Sequence, residues 1–339
     1  MRKYSCEFGL NVYSSYQTVI PVEFLDRIDD GRKYHIYGIL ATPRVIAKPE
    51  SIVCNENGIS LELIEINNGK ENTIKIENFS EFPNIDYRLA NISIKYPYTT
   101  INIDFPKEYL KKYLKGIDET RMLPESMLDE IIKNINEPRD IQYIAESKKY
   151  TVDMEVLYIG QAFGSNGERT AIHRLKSHEK LQKILIDCHS KHPDKRIFIM
   201  LLEMSPILNT VFDGISKDFI CSEKQSDEHL VNVMSNKLKE NQIINVAEAA
   251  IINYFKPKYN TNFIDNFPNI NHKGYRQYYD LDYNSISVEI DMEFDNKNII
   301  LYTSENRLGP WQYIRYNIFN DPNRDDMYEM FTKKLKWFI

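Results

Sequence analysis

Four short pieces of sequence, all between residues 142 and 260, carry side chains suited to acid–base and phosphate chemistry. Tyr143 stands in Gln142-Tyr143-Ile144, and Tyr158-Ile159-Gly160 follows. Arg174 and His178 bound the run Arg-Leu-Lys-Ser-His. Glu248 and Asn260 lie in AEAAIINYFKPKYN. Hydrolysis of a phosphodiester needs a water that loses a proton as it attacks, and partners for the charge that grows on the phosphoryl and leaving oxygens. Tyrosines can hold or deprotonate such a water. An arginine forks onto phosphate oxygens. One carboxylate can anchor a Mg²⁺ that keeps most of its own waters and also binds phosphate. Every one of these types is present, on separate short elements.

The spacing is compatible with a shared site. Arg174 and His178 are four apart, so they share a helix face. Glu248 belongs to a second helix, and Asn260 comes twelve residues later, beyond the stop at Lys256-Pro257. These residues belong to a segment of their own, residues 139–265. Strands are predicted at Ile141–Ser147 and Glu155–Gly160, then a Gly-rich loop from Gln161 to Glu168 and a helix from about Arg169 to Cys188. Arg196–Glu203 is a continuous apolar run short enough for a buried strand, and a helix covers Asn245–Phe255. The order β-β-α-β-α implies a small α/β unit with helices on a short sheet.

The flanks differ in character. Residues 1–138 read as a β-rich N-terminal domain with terminal helices. Asn57-Gly58 and Asn68-Gly69 are hairpin signals. Ile74/Ile76, Ile92/Ile94/Tyr96 and Ile101/Ile103/Phe105 alternate with polar residues. Helices are expected at 107–115 and from Pro124 to Ile135, and Asn136-Glu137-Pro138 reads as a boundary. Residues 266–339 return to β, with alternation from Ile286 to Phe294, strands at Ile299–Tyr302 and Gln312–Ile318, and an amphipathic helix from Pro322 onward. The expected fold class is therefore α+β and multidomain, with a central α/β module between β-rich regions.

Tyr158-Ile159-Gly160 after a strand, an arginine and a histidine four apart on the next helix, a helical glutamate, and an asparagine after a proline together resemble the GIY-YIG nuclease superfamily. The resemblance covers residues 140 to 265 and rests on the ordered set. It implies a metal-dependent endonuclease. Tyr143 and Tyr158 would flank the attacking water, with Tyr158 or a neighbour as general base. Arg174 would bind the scissile phosphate, His178 would assist the water or a phosphate oxygen, Glu248 would hold a single Mg²⁺ or Mn²⁺, and Asn260 would support by hydrogen bonding. DNA is favoured over RNA, and restriction or defence against foreign DNA is the expected setting. The first motif departs from the family, because Gln142-Tyr143-Ile144 stands where Gly-Ile-Tyr is usual.

Other readings of the same residues stay open. Arg169 and His173 form a second pair four apart, offset from the first by five residues or about 140° around a helix, so the two pairs cannot face one site. Arg174/His178 is preferred, leaving Arg169 and Lys176 as phosphate contacts. The loop after Gln161 could cradle phosphate with backbone N–H groups, although a plain turn is favoured. Cys188, His189 and His192 fit no standard zinc spacing. Tyr275, Arg276, Tyr278 and Tyr279 could stack bases or line an ordinary strand face. A catalytically weak nucleic-acid binder, or an effector-gated sensor built on the same fold, is the alternative to a nuclease.

Composition bounds these readings. The formal charge is −6, which argues against coating nucleic acid by bulk electrostatics. Between Ser165 and Met200, eight Lys/Arg face four Asp/Glu, so the basic stretch coincides with the motifs. The β-rich flanks are expected to carry contacts to a second copy or a protein partner. The four cysteines form no CxxC pair, no stretch approaches 18 apolar residues, and no apolar signal follows the N-terminus. Free thiols, no membrane span and a cytoplasmic location are expected.

Overall fold

The apolar runs near the start of the chain, in its middle and near its end pair with one another as strands. In the computed structural model, residues 1–28, 31–117, 124–162, 175, 178–212, 219–294, 297–310 and 312–328 are described. The first strands are β1 (Cys6–Pro21), β2 (Ile36–Ala47), β3 (Val53–Asn55), β4 (Gly58–Asn67), β5 (Lys70–Phe79), β6 (Asn91–Ile94) and β7 (Thr100–Asp104). Helices α1 (Lys107–Ile117) and α2 (Glu125–Ile135) follow, then β8 (Arg139–Asp140) and α3 (Ile141–Glu146). Next come β9 (Thr151–Gln161), α4 (Glu179–Lys191), β10 (Lys195–Phe212), α5 (Glu223–Ser235) and α6 (Glu240–Phe255). The chain closes with β11 (Ser285–Glu289), β12 (Glu293–Phe294), β13 (Lys297–Tyr302), β14 (Arg307–Leu308) and β15 (Tyr313–Asn317). The α+β class expected from the sequence holds.

The chain divides into two compact units. Unit 1 contains residues 1–42, 153–187 and 197–339, and unit 2 contains 43–152 and 188–196. The strands of unit 1 run in the order β12-β13-β9-β2-β10-β1-β11-β15, with β14 on β13. β1 pairs antiparallel with β10 from Cys6↔Phe212 to Pro21↔Phe198, and parallel with β11 from Gly9↔Ser285 to Tyr13↔Glu289. Phe8, Leu10 and Val12 are fully buried, and six successive residues of β10, Ile197–Leu202, are buried too. Such continuous runs mark strands covered on both faces. Helix α6 packs on β11 and β15. It buries Ile243, Ile244, Val246, Ala247, Ala249, Ala250, Ile251, Ile252 and Phe255, and it ends where Lys256 turns left-handed (φ 48°) ahead of Pro257.

Unit 2 has its own core, including Val45, Leu63, Ile76, Tyr87, Ile103, Phe105, Ile132 and Ile144. β4 and β5 close through Asn68 (φ 50°) and Gly69 (φ 73°), with Asn67 opposite Lys70. This is the two-residue turn with both central φ angles positive that an Asn-Gly pair favours. β6, β7 and β8 form a separate three-stranded sheet.

Several sequence readings are corrected. Ile141–Glu146 is helical rather than a strand. The Asp140 side chain accepts from the Gln142 and Tyr143 N–H groups as an N-cap, and two Arg196 hydrogen bonds of 2.7 and 2.6 Å hold it there. Ile141, Ile144 and Ala145 face inward at helical spacing. The division at 138 and 265 differs from the compact units because β1, from the N-terminal region, pairs with β10 of the middle region and β11 of the C-terminal one. Helix α5, absent from the sequence reading, starts at a capping box of Ser222 and Gln225. Residues 322–328 form turns instead of a helix. The rest of that expected helix, residues 329–339, lies outside the described residues.

Candidate functional site

Four residues of β9, Tyr158-Ile159-Gly160-Gln161, gather the side chains chosen by type and spacing. β9 pairs with β2 so that Tyr37 faces Gly160, Gly38 faces Ile159 and Ile39 faces Tyr158. The Tyr37 and Tyr158 rings are 5.8 Å apart between centroids. His178 lies 6.1 Å from Tyr158 and meets Tyr37 edge-on at 5.8 Å. The three rings thus form a triangle. Gly160 is required by close approach, because a Cβ there would stand 2.8 Å from the Tyr37 hydroxyl and 2.9 Å from its ring carbon Cζ.

Asn260 clamps the backbone of Ile159. Its Oδ1 accepts from the Ile159 N–H at 3.0 Å, and its Nδ2 donates to the Ile159 carbonyl at 2.8 Å. The segment after α6 is steered there by the left-handed Lys256, by the Asn260 N–H bond to the Pro257 carbonyl, and by the Tyr259 N–H bond to the Leu157 carbonyl. The Tyr259 hydroxyl donates to Asp187 at 3.2 Å.

Glu248 meets the last residue of the same stretch. Gln161 Nε2 donates to Glu248 Oε2 at 2.9 Å and to Asn245 Oδ1 at 2.5 Å. Both acceptors are partly exposed on a helix whose other faces are buried, so the polar stripe of α6 is turned to the end of β9. A carboxylate set among Ala247, Ala249 and Ala250 needs such a donor, since an unpartnered one would be costly there.

The remaining candidates are placed as follows. Tyr143 lies on α3 in unit 2, half exposed. The tyrosine across from β9 is Tyr37, which the sequence reading did not select. The run Ile36–Ala41 could have suggested a buried strand, but nothing local reveals that it pairs with a strand more than a hundred residues away. Arg169, His173, Arg174 and Lys176 lie outside the described residues, as does the Gly-rich loop from Phe163 on. Tyr275 and Tyr278 are fully buried and cannot stack bases. Tyr275 packs on Phe267 and His272, and burial pushes its hydroxyl up to about 12.

Among the described residues no group of three His, Cys, Asp or Glu could hold a metal. Cys188 is buried, and with His189 and His192 it makes no such group. The Glu248 carboxylate, with the Gln161 amide on one of its oxygens, would suit one kind of cation. That is a hard, hydrated ion that takes a single protein oxygen and shares phosphate oxygens.

Unit 1 also contains a cavity of about 830 Å³, lined by His35, Met204, Val233, Lys239, Glu240 and Ile243 among others. His35 Nδ1 accepts the Met204 N–H at 2.8 Å. Lys33 pairs with Glu240 at 2.7 Å.

No helix among the described residues is long and apolar enough to cross a membrane. Comparison of the chain with family models, with curated proteins and with solved structures finds no match.

Proposed function

We propose that unit 1 carries a metal-dependent nuclease site of the GIY-YIG type that hydrolyses nucleic acid phosphodiesters, with DNA the favoured substrate and restriction or defence against foreign DNA the setting. One observation carries the reading. Tyr158, His178, Glu248 and Asn260, chosen for chemistry across a hundred residues of sequence, converge on four consecutive residues of β9. Core packing alone gives no reason for a tyrosine pair, a histidine, a carboxylate and a backbone clamp to meet on one strand end.

In this reading Tyr158 and Tyr37 hold the attacking water, with Tyr37 rather than Tyr143 as the second tyrosine. Ile36-Tyr37 supplies two residues of the Gly-Ile-Tyr motif, with His35 in place of its glycine. Tyr158 or His178 takes up the proton of that water. Arg174 binds the scissile phosphate through its forked donors. Asn260 keeps the Ile159 peptide, and with it Tyr158, in register. Glu248 holds the cation, which when bound neutralises phosphate charge and acidifies a water.

The test is incubation of wild type and Glu248→Ala with supercoiled plasmid, with Mg²⁺ or with EDTA. Nicked or linear product from wild type with Mg²⁺ alone, lost in Glu248→Ala, is expected. Plasmid, single strands and RNA all left intact by the wild type would overturn the assignment of hydrolysis. Cleavage that survives in Glu248→Ala would overturn the assignment of the cation's ligand.

A further inference from the structure

Gln161 follows Tyr158-Ile159-Gly160 directly and is the last residue of β9. Its Nε2 donates to Asn245 Oδ1 at 2.5 Å and to Glu248 Oε2 at 2.9 Å. The acceptors are three residues apart on α6 and so share a face. Asn245 is tied at its other end, where Nδ2 donates to the Gly274 carbonyl at 3.1 Å. A primary amide offers two N–H groups on its nitrogen and an acceptor oxygen. With Asn245 Nδ2 committed to Gly274, the atom it turns to Gln161 is an oxygen. With that oxygen in place, the atom Gln161 turns to α6 is a nitrogen. The relay from Gly274 through Asn245 and Gln161 to Glu248 therefore has one polarity, and it ends as a neutral donor aimed at one carboxylate oxygen.

We propose that Gln161 and Asn245 are positioning residues for the cation site. Gln161 fixes the Glu248 carboxylate through Oε2, and Asn245 fixes the Gln161 amide. The inference rests on Glu248 being the ligand of a hydrated divalent cation. The neutrality of the donor is what makes it useful. A lysine or arginine at 161 would compete with the cation for the same charge, and an apolar side chain would remove the donor that meets Oε2. Hydrogen-bond partners of metal ligands hold the ligand's orientation, and their loss weakens metal binding by about 10- to 100-fold.

The test is Mn²⁺ binding to the full-length chain, followed by the EPR signal of free Mn²⁺. Wild type is compared with Glu248→Ala, Gln161→Met and Asn245→Ala. The site in question is the binding that Glu248→Ala removes. Gln161→Met keeps the length of the side chain and removes both N–H groups. At an unchanged circular dichroism spectrum it is expected to raise the half-saturating Mn²⁺ about 10-fold or more, with Asn245→Ala shifting it the same way by less. A purely structural role would move the melting temperature and leave Mn²⁺ binding by the folded variant unchanged. Wild-type Mn²⁺ binding in folded Gln161→Met overturns the positioning role while leaving Glu248 as ligand. Absence of any Glu248-dependent binding in the wild type overturns both. If Gln161→Met does not fold, Asn245→Ala decides by the same criterion.

Discussion

At the scale of single residues, two positions have consequences that follow from distance alone. A methyl group at Gly160 would stand 2.8 Å from the Tyr37 hydroxyl and 2.9 Å from Cζ, so the Tyr37 ring or the strand must move. Gly160→Ala is expected to lower stability by about 1–3 kcal/mol, the usual cost of overpacking, and to reduce cleavage more than the stability loss explains. Denaturant melts beside initial rates will separate the two effects. Asn260→Ala removes both partners of the Ile159 peptide, and each buried group left unmet costs about 1–3 kcal/mol. A melting curve that matches the wild type would show that the clamp is not needed for the fold. Tyr158, Glu248 and Asn260 are legible in the sequence because local spacing sets their faces, on a strand, on a helix and in a turn after a proline; His178 stands just before α4 instead of on the helix face that its spacing predicts. Tyr37, Gln161 and Asn245 are not legible, because each matters through a partner distant in the chain. Their types are common and carry no signal by themselves.

At the scale of elements, the differences have similar causes. Alternating strands and the Asn-Gly turn were legible because periodicity and turn chemistry are local. Helix α3 resembles a strand in sequence because six residues give too little pattern to tell the two periods apart. The deciding term is the Asp140 cap held by Arg196, a residue 56 positions on. The end of the chain shows the same override. Arg324 has a fully buried side chain and pairs with the equally buried Glu7 and with Asp282 Oδ1 at 2.7 Å. The Met327 N–H is taken by the Asn284 side chain at 3.0 Å, and the Asp325 N–H by the Met1 carbonyl. Backbone donors used in this way are lost to a helix. Arg324→Met would leave Glu7 buried without its cation, and is expected to cost about 3–5 kcal/mol. The double variant Glu7→Gln/Arg324→Met should recover part of the loss, because a neutral oxygen still accepts from the Lys3 N–H that now bonds Glu7 at 2.7 Å. Chemical denaturation of the three variants checks both statements.

At the scale of the whole molecule, two buried histidines couple stability to pH. Burial holds His35, at the cavity, and His229, stacked on Tyr4 at 3.8 Å, below the ordinary histidine value of 6.5. Each is harder to protonate in the fold than in the unfolded chain, so as the pH drops through 6.5 the unfolded chain binds more protons and stability falls with acidification. The denaturation midpoint is expected to decline from about pH 7.5 to about pH 5.5, before carboxylates titrate appreciably. His229→Phe should flatten that slope; an unchanged slope would remove His229 as a cause. The strand order of unit 1 has a consequence for the chain as it is made. β1 finds its parallel partner only when Ser285–Glu289 exists, and at about 5–20 residues per second a ribosome needs roughly 14 to 55 seconds to get from one to the other. Through that interval a sixteen-residue strand, half of it apolar, waits without both its neighbours, while unit 2 has all of its sequence by residue 196. The nascent chain is thus most open to chaperones, and to premature association with other copies, before any of its candidate chemistry is assembled.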